Sequence, residues 1–296
     1  MKVAILLQCH KNSTQIQLLL NALYHPNVDV FVHVDKKANI TSMLPSAEHI
    51  FILPDHLRIA VQWGKASQVD ATLNLISYAK TKGEYDYFWL LSGQDMLLKS
   101  IDNILQMLSQ DPNANYIEAS PGHSFRKRCE LYYPQWMIGE KFVQRLSRRL
   151  YQEITGGRRR TFPLFVRKNI PVNTFYFGSQ WWCLTRNAIT WMMQYLELHP
   201  EYRPFFSASL CADEVFFQTL FMLSPHKEYR KEKLCYVKWS AGRGGHPELL
   251  TMKHLSELET SDFVIARKFD ISVDPHIVNA LMTRIGIFQT DYPKEQ

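Results

Sequence analysis

The side chains best suited to bind a ligand are grouped in three short polar segments, at residues 8–11, 33–37 and 92–95. Each segment comes at or just after the end of an apolar stretch with the character of a buried strand. An open parallel sheet binds its ligand at the carboxyl ends of its strands. Three crossovers would bring these segments to one sheet edge, which favours a ligand site over ordinary polar loops. The candidate side chains within them are Gln8, His10, Asp35 and Asp95.

Glycine-containing segments elsewhere do not match the general nucleotide-binding motifs. Gly64 and Lys65 resemble part of a phosphate-binding loop, but Ile59 stands where that loop needs its first glycine. Residues 242–245 are too short for the dinucleotide-binding pattern, and Pro247 lies where a helix would have to begin. The sequence contains neither an H-E-x-x-H nor a G-x-S-x-G motif. A catalytic site must therefore use residues outside these signatures.

Strand and helix patterns alternate along most of the chain. Apolar runs predict strands at Val3–Cys9, at Val28–Val34 and at residues 49–53, 85–91, 115–119 and 175–184. Apolar residues at helical spacing predict helices at residues 13–24, 65–80, 100–108, 187–199 and 213–223, with Ser13 and Ser100 as caps of the first and third. A last helix is predicted from its cap Asp274, its first-turn Pro275 and the terminating Gly286. This alternation indicates an α/β fold with a mainly parallel sheet flanked by helices.

The alternation stops between residues 126 and 168, and the positive charge is concentrated there. This segment holds twelve lysines and arginines and only three acidic residues, so its net charge is +9, whereas that of the whole chain is +6. Phe142, Leu146 and Leu150 have the spacing of one helix face, which either packs on the domain or inserts into a membrane surface. Residues 156–160, with two glycines and three arginines, indicate a loop. We therefore predict a single domain with a basic helical insertion.

The composition is that of a folded protein without disulfide bonds. Hydrophobic residues make up 46% of the 296 residues, and no apolar run approaches the roughly 18 residues of a membrane-spanning helix. The apolar run near the amino terminus is too short for a secretory signal. The five cysteines are scattered and include no C-x-x-C pair, which argues against structural disulfides and a zinc site. We expect a cytoplasmic protein.

Five strings of residues resemble, in the same order, the core-2/I-branching β-1,6-N-acetylglucosaminyltransferase family. The strings are FVHVDKK at residues 31–37, YFWLLSGQD at 87–95, GSQWW with LTR at 178–186, ADE at 212–214 and ARKFD at 266–270. The matches extend over nearly the whole chain. The peptide xylosyltransferases share the same catalytic domain.

The resemblance implies a GT-A-like, Rossmann-type fold in one domain. Residues 1–120 would form its nucleotide-binding half, 121–170 the basic insertion and 171–296 the half that holds the acceptor and catalytic residues. It implies an inverting glycosyltransferase that uses a UDP-sugar, with GlcNAc as the first candidate sugar and with no metal or other cofactor. GT-A enzymes generally hold a divalent metal ion with an Asp-x-Asp motif, because the diphosphate leaving group needs charge neutralisation. The sequence has no such motif, and the closest substitute, residues 84–86, lies at the entry end of a predicted strand.

The resemblance also implies roles for individual residues. Glu214 matches the general base that takes the proton from the attacking acceptor hydroxyl. Lys268 matches the lysine on the donor diphosphate, and its partner arginine is either Arg243 or Arg267. Asp35 matches the donor-binding position and Asp95 lies near the donor sugar or ribose, while Trp181 and Trp182 belong to the acceptor-side strand. Gln8 and His10 remain candidates for the nucleotide from their place at the strand ends. Adjacent strand residues face opposite sides, so one of the two tryptophans must point into the core.

Several departures from the family leave alternatives open. Ala60 stands where several members carry an aromatic residue that would stack on the base. Residues 126–168 match no known acceptor region, which leaves the acceptor open between a glycan and a glycolipid. The alternative donor is UDP-xylose or another UDP-hexose. The chain lacks the amino-terminal anchor and cysteine pattern of Golgi members, which predicts a bacterial-type, cytoplasmic member with the inner membrane face as a further candidate location.

The competing interpretation is a binding protein for polyanions or an anionic surface, built around the basic segment. The basic segment would give such a protein salt-dependent affinity for polyanions or for an anionic surface. Its aromatic residues are clustered rather than interleaved with the basic ones, and no RNP or helix-turn-helix motif accompanies them. We therefore expect an anionic membrane surface rather than nucleic acid as a partner of this segment.

Overall fold

The computed structural model describes residues 1–122, 126–157, 162–240 and 247–287. Its strands are β1 (Val3–Cys9), β2 (Val28–Val34), β3 (Ile50–Ile52), β4 (Tyr87–Ser92), β5 (Asp95–Leu97), β6 (Asn115–Tyr116), β7 (Ser120–Pro121), β8 (Tyr176–Phe177), β9 (Cys183–Thr185), β10 (Arg230–Lys231), β11 (Cys235–Val237) and β12 (Ile265–Arg267). Its α-helices are α1 (Ser13–Ala22), α2 (Ser67–Lys80), α3 (Ile101–Gln110), α4 (Lys127–Glu130), α5 (Phe142–Ile154), α6 (Arg186–Leu198), α7 (Tyr202–Ser207), α8 (Phe216–Leu223), α9 (Leu255–Glu259) and α10 (Pro275–Arg284). None of the helices in these ranges has the length and apolar character needed to cross a bilayer.

Seven strands form the main sheet, in the order β10-β6-β9-β4-β1-β2-β3. β1 pairs in parallel with β2 and β4, and β2 pairs in parallel with β3. β9 is antiparallel to both of its neighbours. A second sheet, β11-β12-β5, has three strands, and β7 pairs with β8. The predicted α/β fold with a mainly parallel sheet is confirmed.

The main sheet lies between two hydrophobic layers. β1 and β2 are buried along their whole length, which is why both appear in the sequence as continuous rather than alternating apolar runs. Val3, Ile5 and Leu7 face the layer that contains α1, α3 and α10. Ala4 and Leu6 face the layer that contains α2, α6 and α8. Helices therefore cover both faces, as the alternation of side chains along a strand requires.

The elements predicted in the first 110 residues are confirmed to within two residues at each end. Ser100 caps α3 as predicted, because its hydroxyl accepts a hydrogen bond from the amide of Asn103. Asp274 caps α10 in the same way, and Gly286 follows that helix with a φ of 83°. The first helix differs in its cap, since Asn12 rather than Ser13 precedes it, in a left-handed conformation and without a side-chain capping bond.

The strand predicted at residues 175–184 is wrong, because two short strands, β8 and β9, occupy its ends. Gly178 lies at the break. A Cβ atom there would lie 1.8 Å from the carbonyl oxygen of Glu118, so the backbones approach each other too closely for a regular strand. The strand predicted at residues 115–119 is likewise only the two residues of β6.

The helix predicted from residue 213 begins later. A 3-10 turn, Ala212–Glu214, comes first, and α8 begins at Phe216. Cys211 precedes the turn with a φ of 53°, a left-handed conformation that interrupts any continuous helix. The candidate base therefore lies in a turn at a helix entry rather than within the helix.

The basic insertion contains α4 and α5, and the helix predicted around Phe142, Leu146 and Leu150 is confirmed as α5. No residue of α5 is buried. Its three apolar residues therefore do not pack on the domain. This excludes the first of the two alternatives that the sequence left open, which was packing on the domain. The arginines at residues 158–160 lie outside the described residues.

Candidate active site

Two parallel strands bring His10 and Asp35 to one edge of the main sheet. Cys9 lies beside Val34 in the register of β1 and β2, so His10 and Asp35 are the next residues of neighbouring strands. Asp35 is buried, and its Oδ1 accepts a hydrogen bond from the amide of Lys37 at 2.9 Å. Its Oδ2 lies 3.6 Å from Lys37 Nζ. The carboxylate of Asp35 is thus fixed at the carboxyl end of β2, as the sequence predicted.

Positive charge gathers at the same edge. Partial desolvation lowers the pKa of His10, and Lys11, Lys268 and Lys37 lower it further, while Asp35 opposes them. Burial and neighbouring cations also lower the pKa of Lys268. An oxyanion bound here would relieve the repulsion among these cations. We call Lys11, Lys37 and Lys268 the basic edge.

Lys268 is held at this edge because the chain after β12 is tied to the turn after β1. Asp270 accepts hydrogen bonds from Lys11 Nζ at 2.5 Å and from Asn12 Nδ2 at 2.7 Å. Burial raises the pKa of Asp270, but the hydrogen bonds from Lys11, Ser272 and Asn12 outweigh it and hold that pKa well below its usual range. One ionised carboxylate therefore joins two parts of the chain that carry basic-edge residues.

Asp95 and Arg267 face each other across β5 and β12. Both are buried, with Arg267 Nε 3.6 Å from Asp95 Oδ1. The guanidinium of Arg267 also lies 4.1 Å from the ring centroid of Trp181. Burial raises the pKa of Asp95, and the charge of Arg267 opposes that rise. Arg267 is thus buried against Asp95 and Trp181, but its Nε and Nη1 have no hydrogen-bond partner within the described residues, so its role toward a diphosphate stays a prediction. The other candidate, Arg243, lies outside the described residues.

Two further predicted contacts are occupied by the protein itself. Trp182 is buried and packs on Phe217, with ring centroids 5.3 Å apart, so it is the core member of the tryptophan pair and has no face for a sugar. Gln8 is also buried, and its Nε2 donates to Thr72 Oγ1 at 2.8 Å while its Oε1 accepts a hydrogen bond from Gln68. The side chain of Gln8 therefore joins β1 to α2 rather than facing a ligand. Trp181 is partly exposed.

Glu214 lies in the turn before α8, with 42% of its side chain exposed. Arg128 Nη1, on α4, donates a short hydrogen bond to Glu214 Oε2. The backbone carbonyl of Glu214 accepts a hydrogen bond from the amide of Gly178 at 3.0 Å. The basic insertion and the segment between β8 and β9 thus fix a carboxylate that a substrate hydroxyl can still reach.

Asp213, beside Glu214, has the opposite environment. Its Oδ1 is buried and has no hydrogen-bond partner within the described residues. Burial, and then the charge of Glu214, raise the pKa of Asp213 to about 7. Two adjacent carboxyl groups therefore differ in exposure and in proton affinity.

The loop between β3 and α2 connects the basic edge with the turn that carries Glu214. Lys37 Nζ donates a hydrogen bond to the carbonyl of Val61. Three residues later, the carbonyl of Gly64 accepts a hydrogen bond from the amide of Cys211 at 2.9 Å. Across the described ranges no hydrogen bond or ion pair joins Glu214 directly to Lys268 or Asp35. This loop therefore links the two groups through the backbone.

Four contributors to the site, Arg128, Lys11, Lys37 and Asp270, were not among the predicted site residues. Arg128 was counted only within the basic segment, and nothing local indicates its contact with a residue 86 positions away. Lys11 and Asp270 did carry a signal, since the first ends the polar segment after β1 and the second ends the string ARKFD. In the described part of the chain, no group of three or more His, Cys, Asp and Glu side chains could hold a metal ion.

The site combines cations and carboxylates at the strand ends of a mainly parallel sheet, and comparison with known proteins identifies the family of the chain. The family model for the Core-2/I-Branching enzyme matches residues 3–263. The chain belongs to this family, so the family expected from the sequence is confirmed.

Curated relatives include xylosyltransferases. Human xylosyltransferase 1 is 24% identical over 233 residues, which cover 76% of this chain and 22% of the relative. Rat xylosyltransferase 2 is 24% identical over 310 residues, which cover 95% of this chain and 33% of the relative. The chain thus spans about a fifth to a third of the length of these relatives.

One solved structure with a similar fold is that of mouse xyloside xylosyltransferase 1 in its apo form. It has 11% sequence identity and a TM-score of 0.40, and the match covers 89% of this chain and 97% of the mouse chain.

Proposed function

We propose that this protein is an inverting glycosyltransferase that moves a sugar from a UDP-sugar to an acceptor hydroxyl without a metal ion. The observation that carries the proposal is the basic edge, where Lys11, Lys37 and Lys268 gather beside Asp35. Negative charge develops on the diphosphate as the glycosidic bond breaks. Fixed cations in a preorganised site stabilise that charge, a task that a metal ion performs in other enzymes.

Glu214 supplies the base in this proposal. Its carboxylate takes the proton of the acceptor hydroxyl while the hydroxyl oxygen attacks the anomeric carbon, and UDP leaves from the opposite face. The exposure of Glu214 supports this role, and the ion pair with Arg128 holds the carboxylate in one orientation. A single displacement of this kind inverts the anomeric configuration.

Asp35 binds the donor nucleotide. One of its oxygens already accepts the amide of Lys37, so the other oxygen is left to accept a hydrogen bond from the uracil or the ribose. Trp181 is partly exposed, whereas Trp182, the other member of the predicted pair, lies in the core. A glycan or glycolipid that contacts this ring and Glu214 is the proposed acceptor.

Two donor sugars compete. The resemblance to the N-acetylglucosaminyltransferases favours UDP-GlcNAc. The relatives named xylosyltransferases, at 24% identity, favour UDP-xylose. Both donors present the same diphosphate to the basic edge, so the chemistry is common to the two.

The test is UDP release across a panel of UDP-sugars that includes UDP-GlcNAc, UDP-xylose, UDP-glucose and UDP-galactose, with calorimetric binding of UDP measured in parallel. The calorimetric arm needs no acceptor, and ADP and GDP are its controls. We expect UDP to bind at least about tenfold more tightly than either control, a difference of about 1.4 kcal/mol. Failure to bind UDP and to consume any of the UDP-sugars would contradict the proposal.

A further inference from the structure

Helix α5 presents its apolar side chains to solvent. Phe142, Val143, Leu146, Leu150 and Ile154 are 72%, 69%, 45%, 55% and 68% exposed. At 100° per residue they occupy one face of the helix, in a stripe about 20 Å long. We call these five residues the apolar stripe. An ordinary surface helix of a globular protein turns such a stripe toward the core.

The opposite face of α5 is attached to the protein by hydrogen bonds. Arg148 Nη1 donates to the carbonyls of Met137 and Gly139, both at 2.6 Å. Gln152 Nε2 donates to the hydroxyl of Tyr133 at 2.9 Å. Other polar side chains on this face are Gln144, Ser147 and Tyr151. These hydrogen bonds hold the polar face of α5 against the preceding loop, so the apolar stripe on the other face points to solvent.

Positive charge flanks the apolar stripe. Lys141, Arg145 and Arg149 are exposed at the start and along one side of α5. Within the described ranges no carboxylate forms an ion pair with any of the three. Residues 126–168 carry a net charge of +9, while the whole chain carries +6, so the remainder is acidic. Three exposed cations of α5 and its cap therefore lie beside the apolar stripe.

Further apolar side chains lie beside the carboxyl end of α5. The amide of Phe162 donates to the carbonyl of Thr155 at 2.9 Å, directly after the helix. Phe162 and Leu164 are both exposed. The exposed apolar surface therefore continues beyond the helix.

We propose that α5 docks the protein on an anionic lipid bilayer, lying in the plane of the surface with the apolar stripe inserted below the headgroups. Apolar residues on one face with basic residues beside them are what such a surface binds, since the stripe is buried among the acyl chains and the cations remain near the phosphates. Charge complementarity favours a bilayer over a second copy of this chain, because two copies would bring Arg145 and Arg149 toward their own counterparts. Docking itself does not depend on the proposed transferase activity. If that activity holds, the contact between Arg128 and Glu214 links the basic insertion, which also carries α5, to the proposed base.

The test is flotation of the full chain with vesicles of phosphatidylcholine alone and with about 40% phosphatidylglycerol, at low salt and at ~0.15 M salt. We expect binding to the anionic vesicles that weakens as salt rises. Replacing two arginines, R145Q/R149Q, is expected to weaken partitioning about 30-fold at low salt, because each basic residue near the surface contributes about fivefold. The charge-matched control K80Q/K253Q alters two exposed lysines elsewhere and should leave partitioning within about twofold.

The apolar stripe is tested by L146Q/L150Q, which should weaken binding at least about tenfold at both salt concentrations. Leu198, 78% exposed at the end of α6, supplies the control L198Q, which should have no effect. Calorimetric UDP binding should be unchanged in all four variants, which separates this proposal from the proposed function. Equal binding to neutral and anionic vesicles, no flotation, or equal losses in variants and controls would overturn the proposal. So would a dimer in the absence of lipid that L146Q/L150Q abolishes.

Discussion

At the scale of single residues, Glu214 and Asp213 are adjacent carboxyl groups in different environments. Glu214 is exposed and paired with Arg128, whereas Asp213 has a buried oxygen with no hydrogen-bond partner among the described residues. Environments that separate the proton affinities of neighbouring acids are typical of catalytic sites. Proton transfer is therefore proposed for Glu214, whose carboxylate is exposed enough to meet a substrate hydroxyl.

Replacing Glu214 with Gln is expected to lower kcat by about 10²–10⁴, because an amide of the same shape cannot take the proton of the hydroxyl. UDP binding, measured by calorimetry, should be nearly unchanged. Glu48→Gln, at an exposed carboxylate outside the site, is the matched control and should retain normal turnover. A Glu214→Gln variant with near-normal kcat would remove Glu214 from the mechanism.

Replacing Lys268 with Ala is expected to weaken UDP binding about 10–100-fold and to slow turnover as well, because a charged group on the diphosphate acts in both ground and transition states. The exposed Lys253, outside the basic edge, gives the control Lys253→Ala. Calorimetry with UDP and steady-state kinetics measure both effects. Unchanged UDP affinity in Lys268→Ala would transfer the role to another cation, with Arg243 as the first candidate.

Asp213 makes a pH-dependent contribution to stability. Its pKa is about 7 in the folded protein, above the value of about 3.9 for an unfolded chain. The native state therefore binds more protons between these values, so the free energy of unfolding falls as pH rises through this window. Asp213→Asn should remove that fall and gain stability relative to wild type at pH 8.

Urea unfolding of both proteins at pH 5 and pH 8 is the measurement. Asp262→Asn, at an exposed aspartate, is the control and should follow wild type at both pH values. A wild-type stability that rises between the two pH values, with no difference in Asp213→Asn, would contradict the assigned burial of this carboxyl group.

At the scale of elements, the local signals of the sequence predicted the strands and helices well where they lie in the layered core. β1 and β2 are continuous apolar runs because both of their faces are buried, and α3 and α10 carry explicit caps. The break between β8 and β9 left no comparable signal. It depends on the close approach of Gly178 to the backbone at Glu118, sixty residues away, which no local pattern indicates.

The orientation of α5 shows the same limit. Its amphipathic spacing was visible in the sequence, but periodicity alone does not tell which face meets the protein. The hydrogen bonds of Arg148 and Gln152 decide that, and both depend on the preceding loop. Spacing predicted the helix, and contacts with the preceding loop determine which face it presents to solvent.

Replacing Gly178 with Ala should lower the free energy of unfolding by about 3 kcal/mol, because the new methyl group would lie 1.8 Å from a backbone oxygen that cannot move aside. Turnover of the folded fraction should also fall, since the amide of this residue holds the carbonyl of Glu214. Gly83→Ala is the control, because its nearest neighbours lie at ordinary contact distances from 3.5 Å. Equal urea midpoints for the two variants would show that the close approach at Gly178 is relaxed in solution.

At the scale of the whole molecule, the sequence predicted the family and the segregation of charge, while the assembly of the site needed the fold. Of the predicted site residues, His10, Asp35 and Lys268 come together at the basic edge. Gln8 and Trp182 are instead engaged within the protein, because a position along the chain does not indicate the direction of a side chain. The pairing of the basic insertion with Glu214 through Arg128 appears only in the folded chain.

In the proposed mechanism, fixed cations rather than a metal ion neutralise the leaving diphosphate. Turnover of the preferred UDP-sugar, measured by UDP release in excess EDTA and again with added Mn²⁺ or Mg²⁺, tests it most directly. We expect rates that agree within about twofold under all three conditions, because cations of the protein itself carry the charge. Loss of turnover in EDTA with recovery on addition of Mn²⁺ would contradict it.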